Sequence, residues 1–116
     1  LGGEMAYKLL MENGADESFA RKVADCARTH SSPVKEGEGT LEQICVSNAD
    51  AMTQIARPAY WLHYSFCVLK KPFNDGAAWL QGWITGSWTK MIPQAKEIVI
   101  AEYGISQSIL NGAHVK

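Results

Sequence analysis

Apolar residues recur at helical steps of three and four along nearly the whole chain, and no stretch alternates with a period of two. Met5, Ala6, Leu9 and Leu10 predict a first helix over Gly3 to Asn13, with Asn13-Gly14 as its stop signal. Asp16 is placed to cap a second helix, on which Phe19, Ala20, Val23, Ala27 and His30 share one face, and Ser31-Ser32-Pro33 ends it. Val34 to Gly39 is charged and glycine-rich, which predicts an exposed loop. Thr40 and Gln43 then stand at the two positions of a capping box, opening a third helix with a stripe of Leu41, Ile44, Cys45, Ala49, Met52 and Ile55. Pro58 is expected to bend or break it.

A fourth helix, Ala59 to Lys70, is dense in aromatic residues, and Pro72 to Gly76 reads as a turn. The last helix is expected to run from about Ala77 to Tyr103, with Trp79, Trp83, Ile84, Trp88, Met91, Ala95, Ile98, Val99 and Glu102 tracking one face and Pro93 kinking it. The expected fold is therefore all-α: a single helical domain over residues 1–116, a bundle of about five helices.

Composition narrows the function classes. With 116 residues and 47% hydrophobic positions the chain can build a core without a staple. Lys and Arg total 11 against 12 Asp and Glu, and the adjacent basic pair Lys70-Lys71 precedes a proline. A nucleic-acid partner is not expected, because binding to a phosphate backbone calls for a basic excess or face. The apolar run Ala59 to Leu69 contains His63 and falls short of the roughly 18 residues that a membrane span requires. Cys26, Cys45 and Cys67 are widely separated, without a Cys-x-x-Cys pair, and read as small buried hydrophobes in a reducing cytoplasm. A zinc site from Cys26, His30 and Cys45 would need them to converge from two helices.

Two residues stand out chemically. His30 lies seven residues after Val23, so two helical turns carry it to the face expected to be buried, at a helix C-terminus that favours a protonated ring. His63 reads as a hydrogen-bonded core or surface histidine, and His114 is expected to lie in a disordered C-terminal end. Asp50 falls nearly opposite the stripe of the third helix, between Val46 and Thr53, with Arg57 two turns on. A helix apolar on more than one side is usually central, and an aspartate there needs a cation, either Arg57 or a metal.

From Leu1 to about Gln54 the order of these features resembles the second half of an HD-domain metal-dependent phosphohydrolase. Gly2-Gly3-Glu4-Met5-Ala6 opens a helix, Val23 to His30 ends one in histidine, a loop carries Pro33, and a helix beginning Thr40-Leu41-Glu42 ends in Asn48-Ala49-Asp50-Ala51-Met52. The resemblance implies that Asp50 ligates a divalent metal and that His30 faces the substrate phosphate or a second metal. The implied substrate is a nucleotide or another small phosphate ester. The family's His-Asp doublet and its earlier histidine would lie before Leu1, and no His-Asp pair occurs in these residues. The motif-bearing half, 1–57, is thus expected to be part of a longer site and inactive alone. Residues 58–116 supply aromatic-rich helices, whose crowding of Tyr60, Trp61, Tyr64, Phe66, Phe73, Trp79, Trp83 and Trp88 suggests the alternative: a non-catalytic helical module that associates with itself.

Overall fold

The computed structural model describes residues 1–113, and among these every regular element is helical. Seven α-helices occur: α1 (Gly2–Glu12), α2 (Glu17–Thr29), α3 (Leu41–Ile55), α4 (Pro58–His63), α5 (Phe73–Lys90), α6 (Pro93–Ile98) and α7 (Ile100–Ala113). A single π-helical turn, Tyr64–Val68, follows α4 directly. The contacts divide into two compact units, Leu1–Asp50 and Ala51–Lys116, and α3 belongs to both.

The first unit is built on the α1–α2 hairpin. Gly14 takes the turn at φ 77°, a left-handed conformation that suits glycine. Asp16 caps α2 as expected, its Oδ2 accepting from the Phe19 backbone N–H at 3.2 Å. Gly3 lets the helices close up, since a β-carbon there would sit 2.6 Å from the Ala24 carbonyl oxygen. The buried side chains between them are small, Ala20 and Ala24, and Leu1, Met5, Leu9 and Phe19 are exposed. In the following loop Val34 is buried rather than exposed, because the chain folds it against Gly39.

At the start of α3 the capping box closes in both directions. The Thr40 N–H donates to Gln43 Oε1 at 2.9 Å, and the Gln43 N–H donates to Thr40 Oγ1 at 3.3 Å. The buried line of α3 differs from the apolar stripe, however. Ser47, Asn48, Ala51 and Ile55 are buried, while Leu41, Cys45 and Ala49 are exposed. The interior follows serine and asparagine because each finds a carbonyl to donate to: Ser47 Oγ donates to the Ser32 carbonyl (2.6 Å) and Asn48 Nδ2 to the Ile44 carbonyl (2.8 Å).

The second unit holds the larger core. Ala51, Ile55, Leu80, Ile84, Met91, Ala95, Val99 and Leu110 form one buried cluster, with Met52, Trp61, Leu62, Trp79, Trp88, Ile92 and Tyr103 packed against it. Ser106 reaches in from α7 and donates to the Ile55 carbonyl at 3.0 Å. That carbonyl belongs to the last residue of α3, where helical partners have run out, so the serine satisfies a group that would be costly to bury unpaired.

Three boundaries differ from expectation. The aromatic helix is α-helical only to His63 and then widens into the π-helical turn, ending at Lys70 with φ 52°. Pro72 caps a helix rather than opening a turn: with φ −54° and ψ 151° it stands just outside, and Phe73 to Gly76 form the first turn of α5. The long last helix is three helices. Met91 turns extended (ψ 147°), Pro93 begins α6 where its missing N–H costs nothing, and a break at Val99 precedes α7.

Candidate functional site

His30 and Asp50 both lie in the first unit, His30 just past the end of α2 and Asp50 near the end of α3. The structure corrects the expected placement of His30. His30, the C-cap of α2, keeps helical backbone angles (φ −56°, ψ −36°) yet is exposed, because the buried line of the helix runs through Ala20 and Ala24 and not through Val23. Its Nδ1 lies 2.7 Å from the Ala27 carbonyl oxygen, one of the acceptors that the last turn of a helix leaves without a helical partner.

Asp50 is half-buried. The wheel that carried Arg57 two turns beyond it does not apply, since α3 stops at Ile55 and Arg57 is an exposed residue with φ −126° that precedes α4. What fixes the surroundings of His30 and Asp50 is a pair of polar ties. The Ser47–Ser32 hydrogen bond fastens the segment after His30 to α3 one turn before Asp50, and Gln43 Nε2 donates to Thr29 Oγ1 at 3.4 Å, next to His30. Thr29 in turn donates to the Asp25 carbonyl at 2.9 Å. Ser47 and Gln43 therefore fix the surroundings of the two residues singled out from sequence. Ser47 carries a sequence signal, since it shares a helical face with Ile44, Ala51 and Ile55.

The charged groups nearby are settled by ordinary forces. A hydrogen bond from its own backbone N–H, followed by one from the Thr40 hydroxyl, holds the Glu42 carboxyl below the usual carboxylate range at the N-terminus of α3. Burial first, then the carboxylates of Glu42 and Asp25, push the Cys26 thiol up, away from the thiolate that reacts or ligates. Cys45 and Cys67 are exposed, contrary to the expectation of buried small hydrophobes, and all three cysteines are free thiols.

Among the described residues no group of three or more His, Cys, Asp or Glu side chains is gathered closely enough to hold a metal ion. Cys26, His30 and Cys45 do not form such a group, and His114 lies outside the described residues. A catalytic metal ordinarily takes three protein ligands. The donors present among the described residues do not by themselves fit one.

A groove of about 330 Å³ opens elsewhere in this unit, lined by Gly3, Glu4, Tyr7, Arg21, Ala24, Asp25 and Arg28. It includes neither His30 nor Asp50, and its guanidiniums are engaged: Arg28 pairs with Asp25 at 2.6 Å, and Arg21 pairs with Glu17 at 2.5 Å while lying over the Tyr7 ring. Among the described residues no helix is long and apolar enough to cross a membrane. No protein-family model matches the chain, and neither does any curated protein or solved structure.

Proposed function

We propose that the chain is the C-terminal part of an HD-superfamily metal-dependent phosphohydrolase of the cytoplasm, acting on a nucleotide or another small phosphate ester. Asp50 contributes one ligand to a divalent metal, and His30 faces the phosphate or a second metal. The remaining ligands come from residues outside these 116. One observation carries the reading: the Ser47–Ser32 hydrogen bond, which ties the segment leaving His30 to the helix presenting Asp50, so that the two motif residues stand on mutually fastened elements.

The test is made on the gene product with whatever residues are encoded before Leu1. It should hydrolyse a phosphate ester only with added divalent metal, and Asp50→Asn should abolish both hydrolysis and metal uptake while leaving the circular dichroism melt in place. Hydrolysis and metal content unchanged in that variant would sink the assignment.

A second reading, a non-catalytic module that associates with itself, has its own support in the outward side chains of the second unit. Tyr60, Phe73, Ile98, Ile105 and Ile109 are all at least 40% exposed. Buried apolar side chains are the ordinary anchors of an interface. Trp83 is a weaker anchor than its sequence position suggests, because it is already stacked on Trp79 (5.5 Å) and tilted against Trp61 (5.3 Å). Under this reading the chain sediments as a dimer or larger and Ile105→Glu returns it to monomer; a monomer at high concentration excludes it.

A further inference from the structure

We propose that Asn13 is a site of spontaneous deamidation, whose products uncap α1 and loosen the α1–α2 hairpin. The sequence holds two Asn-Gly pairs, Asn13-Gly14 and Asn111-Gly112. Glycine is the most permissive successor to asparagine, because no β-carbon hinders its backbone nitrogen from reaching the side-chain carbonyl. The two pairs sit in different backbones. Asn111 and Gly112 lie inside α7, where regular helical geometry keeps the following nitrogen away from the side-chain carbon. Asn13 has left α1 (φ −99°, ψ 14°), Gly14 takes φ 77°, and both residues are exposed. The bonds over this turn close a helix end. Gly14 N–H donates to the Met11 carbonyl (3.1 Å), Ala15 N–H to the Leu10 carbonyl (3.0 Å) and Asn13 Nδ2 to the Leu9 carbonyl (2.8 Å). Exposed bonds at the end of a helix open at little cost, which frees the Gly14 nitrogen to attack.

The chemistry needs only hydroxide and water. Hydroxide takes the Gly14 amide proton, and the Gly14 nitrogen bonds to Asn13 Cγ. The Cγ–Nδ2 bond then breaks, and Nδ2 leaves as ammonia after taking a proton from water, which returns the hydroxide. A water opens the cyclic imide. Cleavage at Cγ leaves an aspartate, and cleavage at the backbone carbonyl leaves an isoaspartate whose main chain runs through the β-carbon. Nothing is oxidised or reduced.

Either product undoes the cap. The departing Nδ2 is the group that donates to the Leu9 carbonyl, and an oxygen in its place has nothing to donate. The new carboxylate also stands at the C-terminus of α1, where the helix dipole disfavours negative charge. In the isoaspartate the main chain is longer by a methylene, so the Ala15–Leu10 closure falls out of register.

The experiment incubates the chain in warm, mildly alkaline buffer, folded and in urea, and follows each asparagine by peptide mapping with mass spectrometry and an isoaspartyl methyltransferase assay. In the folded chain the peptide holding Asn13 should convert several-fold faster than the one holding Asn111, and in urea the two rates should converge. The converted chain should lose hydrogen-exchange protection over α1 and α2, and freshly made Asn13→Asp should show a loss in the same segments. Asn13→Gln should accumulate no isoaspartate in this peptide. Conversion of Asn111 as fast as Asn13 in the folded chain would overturn the proposal. So would a converted chain, or an Asn13→Asp chain, that keeps the parent's protection over the hairpin. None of these readouts involves metal or turnover, so they stand apart from the hydrolase reading.

Discussion

Gly76→Ala is expected to destabilise the protein by about 2 kcal/mol, although the same substitution at Gly82 and at Gly86 should stabilise it by roughly 0.5–1 kcal/mol each. All three glycines lie inside α5, where alanine is the better helix former. They differ in what a methyl group would meet. At Gly82 and Gly86 there is open space, so the substitution reduces the freedom of the unfolded chain and costs nothing in the fold. At Gly76 the β-carbon would stand 2.7 Å from Ser65 Oγ and 2.9 Å from Phe66 Cδ1. Neither neighbour can easily yield. Ser65 is fully buried and donates to the Gly76 carbonyl at 3.3 Å, and the Phe66 ring is held in a stack with Phe73, 5.5 Å between centroids and 7° between planes. Thermal unfolding should rank the variants with Gly76→Ala lowest, about 8 °C below the parent at roughly 4 °C per kcal/mol. If Gly76→Ala instead melts with Gly82→Ala, the close packing of the π-helical turn on α5 is wrong.

This contrast also shows which parts of the fold could be read from the residues. Asp16 with Phe19, and Thr40 with Gln43, act across three positions, so the helix starts of α2 and α3 were legible and both caps form. The local rule for Pro72 to Gly76 is conformational and predicts a turn. The actual role of Gly76, letting Phe66 and Ser65 approach, depends on a partner ten residues away. The buried face of α3 departs from its apolar stripe for a related reason. A polarity count excludes serine and asparagine from a core, yet Ser47 and Asn48 each find a carbonyl and go inside, which turns the interior line away from Leu41 and Cys45.

For the candidate site, residue types and order pointed to His30 and Asp50, and the surrounding geometry was hidden. Periodicity places His30 inward on the face of Phe19 and Val23, whereas the buried line of α2 runs through Ala20 and Ala24, and the exposed ring lies against the Ala27 carbonyl. The ties through Ser47 and Gln43 join residues 14 and 15 positions apart, a separation that no helical spacing encodes.

Leu80→Ala should have the largest effect, a loss of about 3 kcal/mol from removing buried methyl groups and leaving a cavity. Leu80 has no exposed surface and sits among Ile55, Ile84 and Leu110 in the buried cluster of the second unit. On α5 it continues the buried line that begins at Gly76 and Ala77 and runs on to Ile84 and Ser87, at the spacing that keeps one face of a helix inward. Leu69→Ala is the control: that side chain is 40% exposed, lies outside the cluster and should change stability by no more than about 1 kcal/mol. All four tryptophans, Trp61, Trp79, Trp83 and Trp88, belong to the second unit, so fluorescence reports its unfolding separately from circular dichroism, which follows helices in both units. In urea the fluorescence midpoint of Leu80→Ala should fall by about 1–3 M, given a slope of roughly 1–3 kcal/mol per molar. The same core grips the end of α3 through Ala51 and Ile55, immediately after Asp50. A Leu80→Ala chain with an unshifted fluorescence midpoint would mean that this cluster is not what holds the second unit together, and that α3 is anchored by something else.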